Sequence, residues 1–548
     1  MRNTYLVGPA PVFMDLYLPN LKVLGISDPT PAEKHAEEEL VHWTGKISAG
    51  GGAPEQRVIL RRDESMGSEE FSIIPECDDL AITGGAPRGV LYGVYELLDR
   101  FGGIRWLAPD DAYLPSKHWI TVPEQGIAHS PVLDYREPYY TEAFDGDWAA
   151  RNRANSNRAG LTEVHGGKVT YVGFVHTFNR LVPPSEFFST HPEYFSEIDG
   201  ERIAEKTQLC LTNEEVVDIA AKRAIHWLDE NPGADIISVS QNDWRNPCQC
   251  GECSRLDEEE GSHAGSLLHF VNRVAERIEE RYPDKLVDTL AYQYTRKAPK
   301  SIRPRRNVVV RLCSIECCFS HPLAECPENR DFRRDTEDWA RAAHTLHVWD
   351  YVTNFRHYVM PFPNLRVLQP NVNFFVNNSV KGIFEEGNYS EGGGGELASL
   401  RSYLLAKILW NPSCDVDQTM TDFLSNRFGR AAPSVRSYID LLHDTVEGSG
   451  VHVRIYDDPD SFLDDDFVRD SLKILDEAEG LAGDERERER IRRMRLPVVY
   501  SEIFMMEDGD EKRSRMMDFL EDCRSFGLTN ISERYTIDQF IEEVVNSW

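Results

Sequence analysis

Between residues 131 and 410, short apolar runs and amphipathic stretches take turns, and no other pattern in the chain limits its fold so tightly. The runs 235–240, 287–292, 307–312, 346–350 and 381–386 have the length and β-branched character of buried strands. Between them, Leu268, Val271, Val274, Ala275 and Ile278 repeat at helical spacing. Thr212-Asn-Glu-Glu215 reads as a capping box opening another helix through Val216, Ile219, Ala220 and Trp227. Strands alternating with helices predict parallel βα units, because parallel neighbours need a crossover connection. Polar residues follow the strands, where a (β/α)8 barrel gathers its active site. The predicted class is therefore α/β, with a TIM-like barrel over residues 128–412.

The flanks differ. Residues 1–127 read as a small α/β accessory domain: strands at 21–26, 57–60, 71–74, 80–83 and 104–107, with helices over 31–44 and 89–101. The second helix is stopped by Gly102-Gly103. After Asn411-Pro412 the pattern becomes helical throughout, which predicts an α-helical C-terminal domain over 413–548. Within it, the two-signed charge run 485–495 reads as a solvated helix face.

Charge narrows the partners. With 60 Lys plus Arg against 92 Asp plus Glu, the formal charge is −32. Such a polyanion repels phosphate backbones and anionic membranes, and no apolar window is long enough to span a bilayer. Nucleic acid and membrane are excluded as expected partners, while a glycoside or oligosaccharide remains compatible. The first residues lack the apolar core of a secretory leader. The 11 cysteines are not spread like a secreted framework. A cytoplasmic location is expected unless a leader was removed upstream.

Three groups of residues carry chemistry. Asn242-Asp243 follows the strand 235–240, where a carboxyl could protonate a leaving oxygen and an amide could orient substrate; capping of a turn is the alternative. Asp350, Glu385 and Glu386 end two later strands, and hydrolysis of a glycosidic bond needs two carboxyls supplied from separate strands. Side chains alternate, so only one of Glu385 and Glu386 faces the barrel mouth. Pairing of these acids with Arg311 or Arg356 is the competing explanation. Arg136, Tyr139, Tyr140, His176, Tyr292, Tyr294, Trp349, Tyr351 and Tyr389 supply rings and donors at the same rim, suited to the flat apolar faces and hydroxyls of sugars.

Cys248-Gln-Cys250-Gly-Glu-Cys253 follows closely. Three thiols at this spacing suit a closed structural zinc site with Cys210, Cys326 or His263 as fourth ligand; free thiols or a disulfide are the alternatives. Cys313, Cys317 and Cys318 are less organised. No cofactor is expected for catalysis, because phosphate-binding and dinucleotide-binding glycine motifs are missing and Gly392–Gly395 has no lysine after it. Serine-hydrolase and zincin motifs are missing too.

Gly89-Val-Leu-Tyr-Gly-Val-Tyr-Glu-Leu-Leu-Asp with Gly103-Ile-Arg-Trp-Leu-Ala-Pro resembles the domain preceding the barrel in α-glucuronidases and β-N-acetylhexosaminidases. His191-Pro-Glu-Tyr-Phe, Ile237-Ser-Val-Ser-Gln-Asn-Asp, the cysteine cluster and Val348-Trp-Asp-Tyr resemble a bacterial domain-of-unknown-function family of glycoside-hydrolase-like proteins. Ala406-Lys-Ile-Leu-Trp-Asn-Pro is similar to the segment closing the α-glucuronidase barrel. The resemblance implies an acid from a middle strand and a base from a late one, and dimerisation through the helical tail. In hexosaminidases an adjacent Asp-Glu pair stands where this chain has Asn242-Asp243.

The expected activity is exo-acting hydrolysis of a terminal sugar or uronic acid. Asp243 is the expected acid, with Asp350 or Glu386 as base or nucleophile. Arg136, His176, Trp349 and Tyr351 would hold the sugar. The alternatives are substrate-assisted cleavage of an N-acetylated sugar braced by Asn242, a non-catalytic carbohydrate-binding barrel, and a zinc hydrolase.

Overall fold

The structure, a computed structural model, describes residues 13–51 and 55–548. Most of the N-terminal stretch read for a leader lies outside them. The chain divides into two compact units, Met1–Val132 with Glu142–Lys168, and Leu133–Thr141 with Val169–Trp548.

In the first unit, Leu21–Leu24, Gln56–Arg62 and Asp79–Gly84 pair in parallel. Phe71–Glu76 and Ile127–His129 extend this five-stranded sheet in antiparallel fashion. Helix Pro31–Ile47 starts at a capping box in which the side chains of Thr30 and Glu33 satisfy each other's backbone N–H. Helix Gly89–Glu96 lies so close to the sheet that a Cβ at Gly93 would come within 2.6 Å of Ile82. Four of these strands and both helices follow the order the sequence predicts; Ile127–His129 is not predicted, and the predicted strand near 104–107 pairs with Asp111–Tyr113 outside this sheet.

The second unit is built on seven parallel strands, labelled here along the chain: β1 Tyr135–Tyr139, β2 Tyr171–Val172, β3 Ile236–Ser238, β4 Leu286–Ala291, β5 Val308–Cys313, β6 Thr345–Tyr351 and β7 Val380–Glu386. Their order across the sheet is β1-β7-β6-β5-β4-β3-β2, so the first strand pairs with the last. Strands β2 and β5 stand three places apart, about 14 Å on a flat sheet. Yet the Arg311 guanidinium lies 4.8 Å from the Tyr171 ring, and Tyr135 of β1 meets Tyr171 of β2 at 5.6 Å. The sheet is therefore curled. Among the described residues it has seven strands, one fewer than the predicted eight, and no ladder joins β1 to β2.

Alternation along the strands decides what the curled face encloses. Tyr135, Tyr171, Asp288, Arg311 and His347 fill its interior, where the Arg311 Nε stands 3.2 Å from Asp288 Oδ2. Gly382 leaves the space that the His347 ring occupies, since a Cβ there would come within 2.6 Å of that ring. Burial, and then the positive Arg311, hold His347 neutral by pulling its pKa down to about 3.

After helix Ala398–Trp410, the region is helical as predicted: Val416–Phe428, Ala432–Ser449, Asp465–Leu481, Glu485–Met505, Asp510–Ser525 and Ile537–Glu543. The charge run 485–495 is an outer face whose Arg492 and Arg495 pair with Glu479 and Asp476 of the preceding helix. One local prediction is revised. Helix Glu214–Glu230 is capped by Asn213, whose Oδ1 accepts from the N–H groups of Glu215 and Val216, and not by a Thr212 capping box. No helix among the described residues is long and apolar enough to cross a membrane.

Candidate active site

The carboxyl ends of the strands are tied together by side chains that leave the ladder early. Strand β2 is two residues long, and Thr177 continues its link to β3: its Oγ1 donates to Ser238 O and accepts from Ser240 N, both at 3.0 Å. The His176 N–H donates to Ser240 Oγ at 3.0 Å. That contact helps hold His176 at φ 56°, a left-handed conformation that a non-glycine residue keeps only when its surroundings impose it. Gln241 then bridges to β4, its Nε2 donating to Tyr292 O at 3.2 Å and its Oε1 accepting from Thr295 Oγ1 at 2.5 Å.

Above these strand ends lies a cavity of about 290 Å³. Its walls are aromatic: Tyr139, Phe174, Tyr292, Trp349, Tyr351, Phe355, Phe384, Tyr389 and Tyr456. Phe174 stacks on Trp349 at 5.6 Å, and Trp349 meets Phe384 edge-on at 4.7 Å. Three carboxyls, Asp243, Glu386 and Glu533, share this lining with His176, and no lysine or arginine is among the lining residues.

The carboxyls stand in different surroundings. Glu386 is 8% exposed, and Trp349 Nε1 donates to its Oε2 at 2.8 Å. Burial, and secondarily the Glu533 charge, push its pKa up to about 8. Asp243 is exposed and accepts a hydrogen bond from the Tyr292 hydroxyl at 2.9 Å. Burial, followed by the Asp243 charge, raises the pKa of that phenol, which stays a donor. Glu533 accepts from the Tyr389 hydroxyl at 3.0 Å. The His176 Nδ1 lies 2.8 Å from Gln241 O, and a carbonyl only accepts, so Nδ1 carries a hydrogen.

Of the residues expected in the site, Asp243, Glu386, His176, Tyr292, Trp349 and Tyr351 line the cavity, as do Tyr139 and Tyr389. The others are revised. Asp350 points away from the enclosed face, because Trp349 and Tyr351 on either side of it point in. It is buried with Ser314 Oγ donating to it at 2.5 Å, and burial raises its pKa to about 6. Glu385 sits in register with Asp350 on β7 and is likewise buried off the cavity, its carboxyl pushed up by burial and by Asp350.

Arg136 lies between the inward Tyr135 and Tyr139 positions and turns outward, with its guanidinium over the Trp410 ring at 5.3 Å. The Asn242 amide is committed, donating to Asn179 Oδ1 and Thr207 O and accepting from Asn179 N. Tyr294 packs against His263 at 5.7 Å instead of lining the cavity. The feared arginine pairings do not involve these acids: Arg311 faces Asp288, and Arg356 faces Asp458.

The family described as Domain of unknown function (DUF4838) matches residues 106–440, well over half of the chain. The chain is a member of DUF4838. No curated protein matches it. Among solved structures, this DUF4838 chain is similar to a GH138 enzyme targeting pectin rhamnogalacturonan II, at 12% identity and a TM-score of 0.47, over 92% of this chain and 72% of that one. It is similar to a β-N-acetylhexosaminidase from Bacteroides fragilis NCTC 9343, at 12% identity and a TM-score of 0.42, over 74% and 89%. A third is the GH20 β-N-acetylhexosaminidase from Streptomyces coelicolor A3(2), at 12% identity and a TM-score of 0.42, over 81% and 94%.

In this DUF4838 member, the cysteines after Asp243 gather as their spacing suggests. The sulfurs of Cys210, Cys248, Cys250 and Cys253 all lie within 4.8 Å of one another, with Cys210 and Cys250 at 3.6 Å. A tetrahedral zinc with bonds of about 2.3 Å sets its sulfurs about 3.8 Å apart, so the donor set fits that ion. Cys210 completes the set; His263 is engaged with Asp257 at 2.6 Å. Cys248 Sγ also accepts from Glu197 N at 3.4 Å and from Arg202 Nη1 at 3.5 Å, the kind of donors a metal-bound thiolate attracts.

Sequence reasoning missed five of the cavity's aromatic and acidic residues: Phe174, Phe355, Phe384, Tyr456 and Glu533. Tyr456 and Glu533 come from outside the strand–helix region, and neither sits in a motif. They reach the site through backbone bonds to the loop after β6: Phe355 N donates to Ile455 O at 2.8 Å, and Glu533 N to Phe355 O at 2.9 Å.

Proposed function

We propose that this chain is an exo-acting glycoside hydrolase, with Glu386 as general acid and Asp243 as the carboxylate that activates water or attacks the anomeric carbon. The carrying observation is the contrast between these two groups on one aromatic cavity. Glu386, buried with a pKa of about 8, holds a proton near neutrality and can give it to a departing glycosidic oxygen. Asp243, exposed and hydrogen-bonded by Tyr292, suits the opposite role. This exchanges the roles the sequence suggests for Asp243 and Glu386.

The cavity sits at the small end of ligand sites, which start at roughly 300 Å³, and suits a single ring better than a chain. Its three acids and lack of lining cations disfavour a uronic acid, so the proposed substrate is a terminal neutral sugar stacked on Trp349 or Tyr351. Substrate-assisted cleavage braced by Asn242 is disfavoured, because that amide is occupied. We read the curled sheet as a TIM-like barrel whose β1–β2 seam is closed by Tyr135 and Tyr171. A zinc ion held by Cys210, Cys248, Cys250 and Cys253 would brace the loop that follows Asp243, and no catalytic step runs through it.

The test is a panel of aryl glycosides and capped oligosaccharides assayed with wild type and Asp243→Asn. A neutral-sugar member is expected to be hydrolysed by wild type and about 10²–10⁴-fold more slowly by the variant. Release of a uronic acid alone, or full activity of Asp243→Asn, would end this assignment.

A further inference from the structure

A second group of soft ligands lies away from the four-cysteine cluster, on the loop after β5. Cys318, His321 and Cys326 come from that loop, and His452 comes from the segment after helix Ala432–Ser449. One ligand atom of each lies within 4.8 Å of the others. Cys318 Sγ is 3.3 Å from His321 Nδ1, Cys326 Sγ is 3.4 Å from His452 Nδ1, and the two imidazole centroids are 4.8 Å apart. Both cysteines are buried, and neither forms a disulfide.

We propose that Cys318, His321, Cys326 and His452 bind a structural zinc ion. Two sulfurs and two imidazole nitrogens around a tetrahedral zinc place each sulfur roughly 3.5 Å from each nitrogen, given bonds of about 2.3 and 2.0–2.1 Å. The two sulfur–nitrogen distances in the cluster lie near that value. With Nδ1 turned to the cluster, His452 has its Nε2 3.9 Å from the Glu328 carboxylate, an ion-pair distance and not a hydrogen bond. Arg454 pairs with the same Glu328.

The position gives the ion a task. Around the cluster, Phe319 N donates to Val453 O at 2.8 Å, Val453 N to Ser320 Oγ at 3.2 Å, and Ser320 Oγ to Val451 O at 3.3 Å. Three residues beyond Val453, Tyr456 enters the cavity wall, and the start of the same loop supplies Ile315. The zinc therefore clips the segment carrying Tyr456 to the sheet that carries Glu386. It is a positioning device and touches no reacting atom.

The experiment counts zinc in the full-length protein by elemental analysis and native mass spectrometry, for wild type, His452→Gln and Cys253→Ser. His452→Gln is expected to lose one zinc per chain relative to wild type. Cys253→Ser is expected to keep the zinc that His452→Gln loses, whether or not the four-cysteine cluster holds an ion of its own. Should His452→Gln fail to fold, cobalt-reconstituted wild type decides, because a site with two sulfur and two nitrogen ligands absorbs at shorter wavelength than one with four sulfurs. An unchanged zinc count in folded His452→Gln, or a cobalt spectrum without the two-sulfur, two-nitrogen component, would overturn the proposal.

Discussion

Glu385 and Glu386 are neighbours on one strand, and the pleat sends them to opposite faces. Glu386 enters the cavity beside Trp349. Glu385 goes behind it, in register with Asp350. The same parity was available for the strand before it. Once Trp349 and Tyr351 are placed at the rim, Asp350 between them must face away, and the alternation that separates the two glutamates excludes it. Arg136 between Tyr135 and Tyr139 obeys the same rule. Residue chemistry alone does not separate these positions; the direction of their neighbours along the strand does.

Asp350 also carries a stability signature. Its native pKa of about 6 lies above the ordinary carboxyl value of 3.8, so the folded state binds the extra proton. Its contribution is fully present below pH 3.8 and is lost as pH rises through about 6. Asp350→Asn removes that loss. At pH 8 the variant is expected to gain about 3 kcal/mol over wild type in denaturant unfolding, with turnover nearly unchanged. A large loss of turnover would return Asp350 to the site.

At the scale of elements, the strand–helix alternation was legible because buried parallel strands and amphipathic helices leave distinct periodicities. The ends were less so. In Thr212-Asn213-Glu214-Glu215 two polar residues compete to cap one helix. Asn213 takes the position, while Thr212 Oγ1 lies 3.3 Å from Cys253 Sγ. Sequence spacing could not separate them, since the choice depends on where the cysteine cluster sits. Asn213→Ala is expected to cost about 1 kcal/mol of stability, measured as a shift in the urea midpoint at unchanged slope. Strand β2 is the other case. Two paired residues give no periodicity, and beyond them the link to β3 continues through the Thr177 and Ser240 side chains.

For the whole molecule, the site is assembled from segments nearly 400 residues apart. Tyr139 stands on the first strand of the sheet and Glu533 near the end of the chain. No local pattern announces Glu533, because its place depends on how the helical region returns its last loop to Phe355. Its charge helps hold Glu386 protonated. Glu533→Gln removes a like charge and makes ionisation of Glu386 easier. The alkaline limb of kcat/KM, expected near pH 8 in wild type, should therefore move to lower pH. A limb that stays in place or moves up would show that the tail has no electrostatic hold on the acid.

The protonated state of Glu386 is what separates a hydrolase from an aromatic pocket that merely binds. Its most direct test is the kcat/KM of Glu386→Gln across aryl glycosides of graded leaving-group pKa, on whichever sugar wild type accepts. A lost acid is expected to slow poor leaving groups by about 10²–10⁴-fold while sparing the best ones. The alkaline limb near pH 8 should disappear with it. A loss of equal size across the whole series, with the limb retained, would contradict the account.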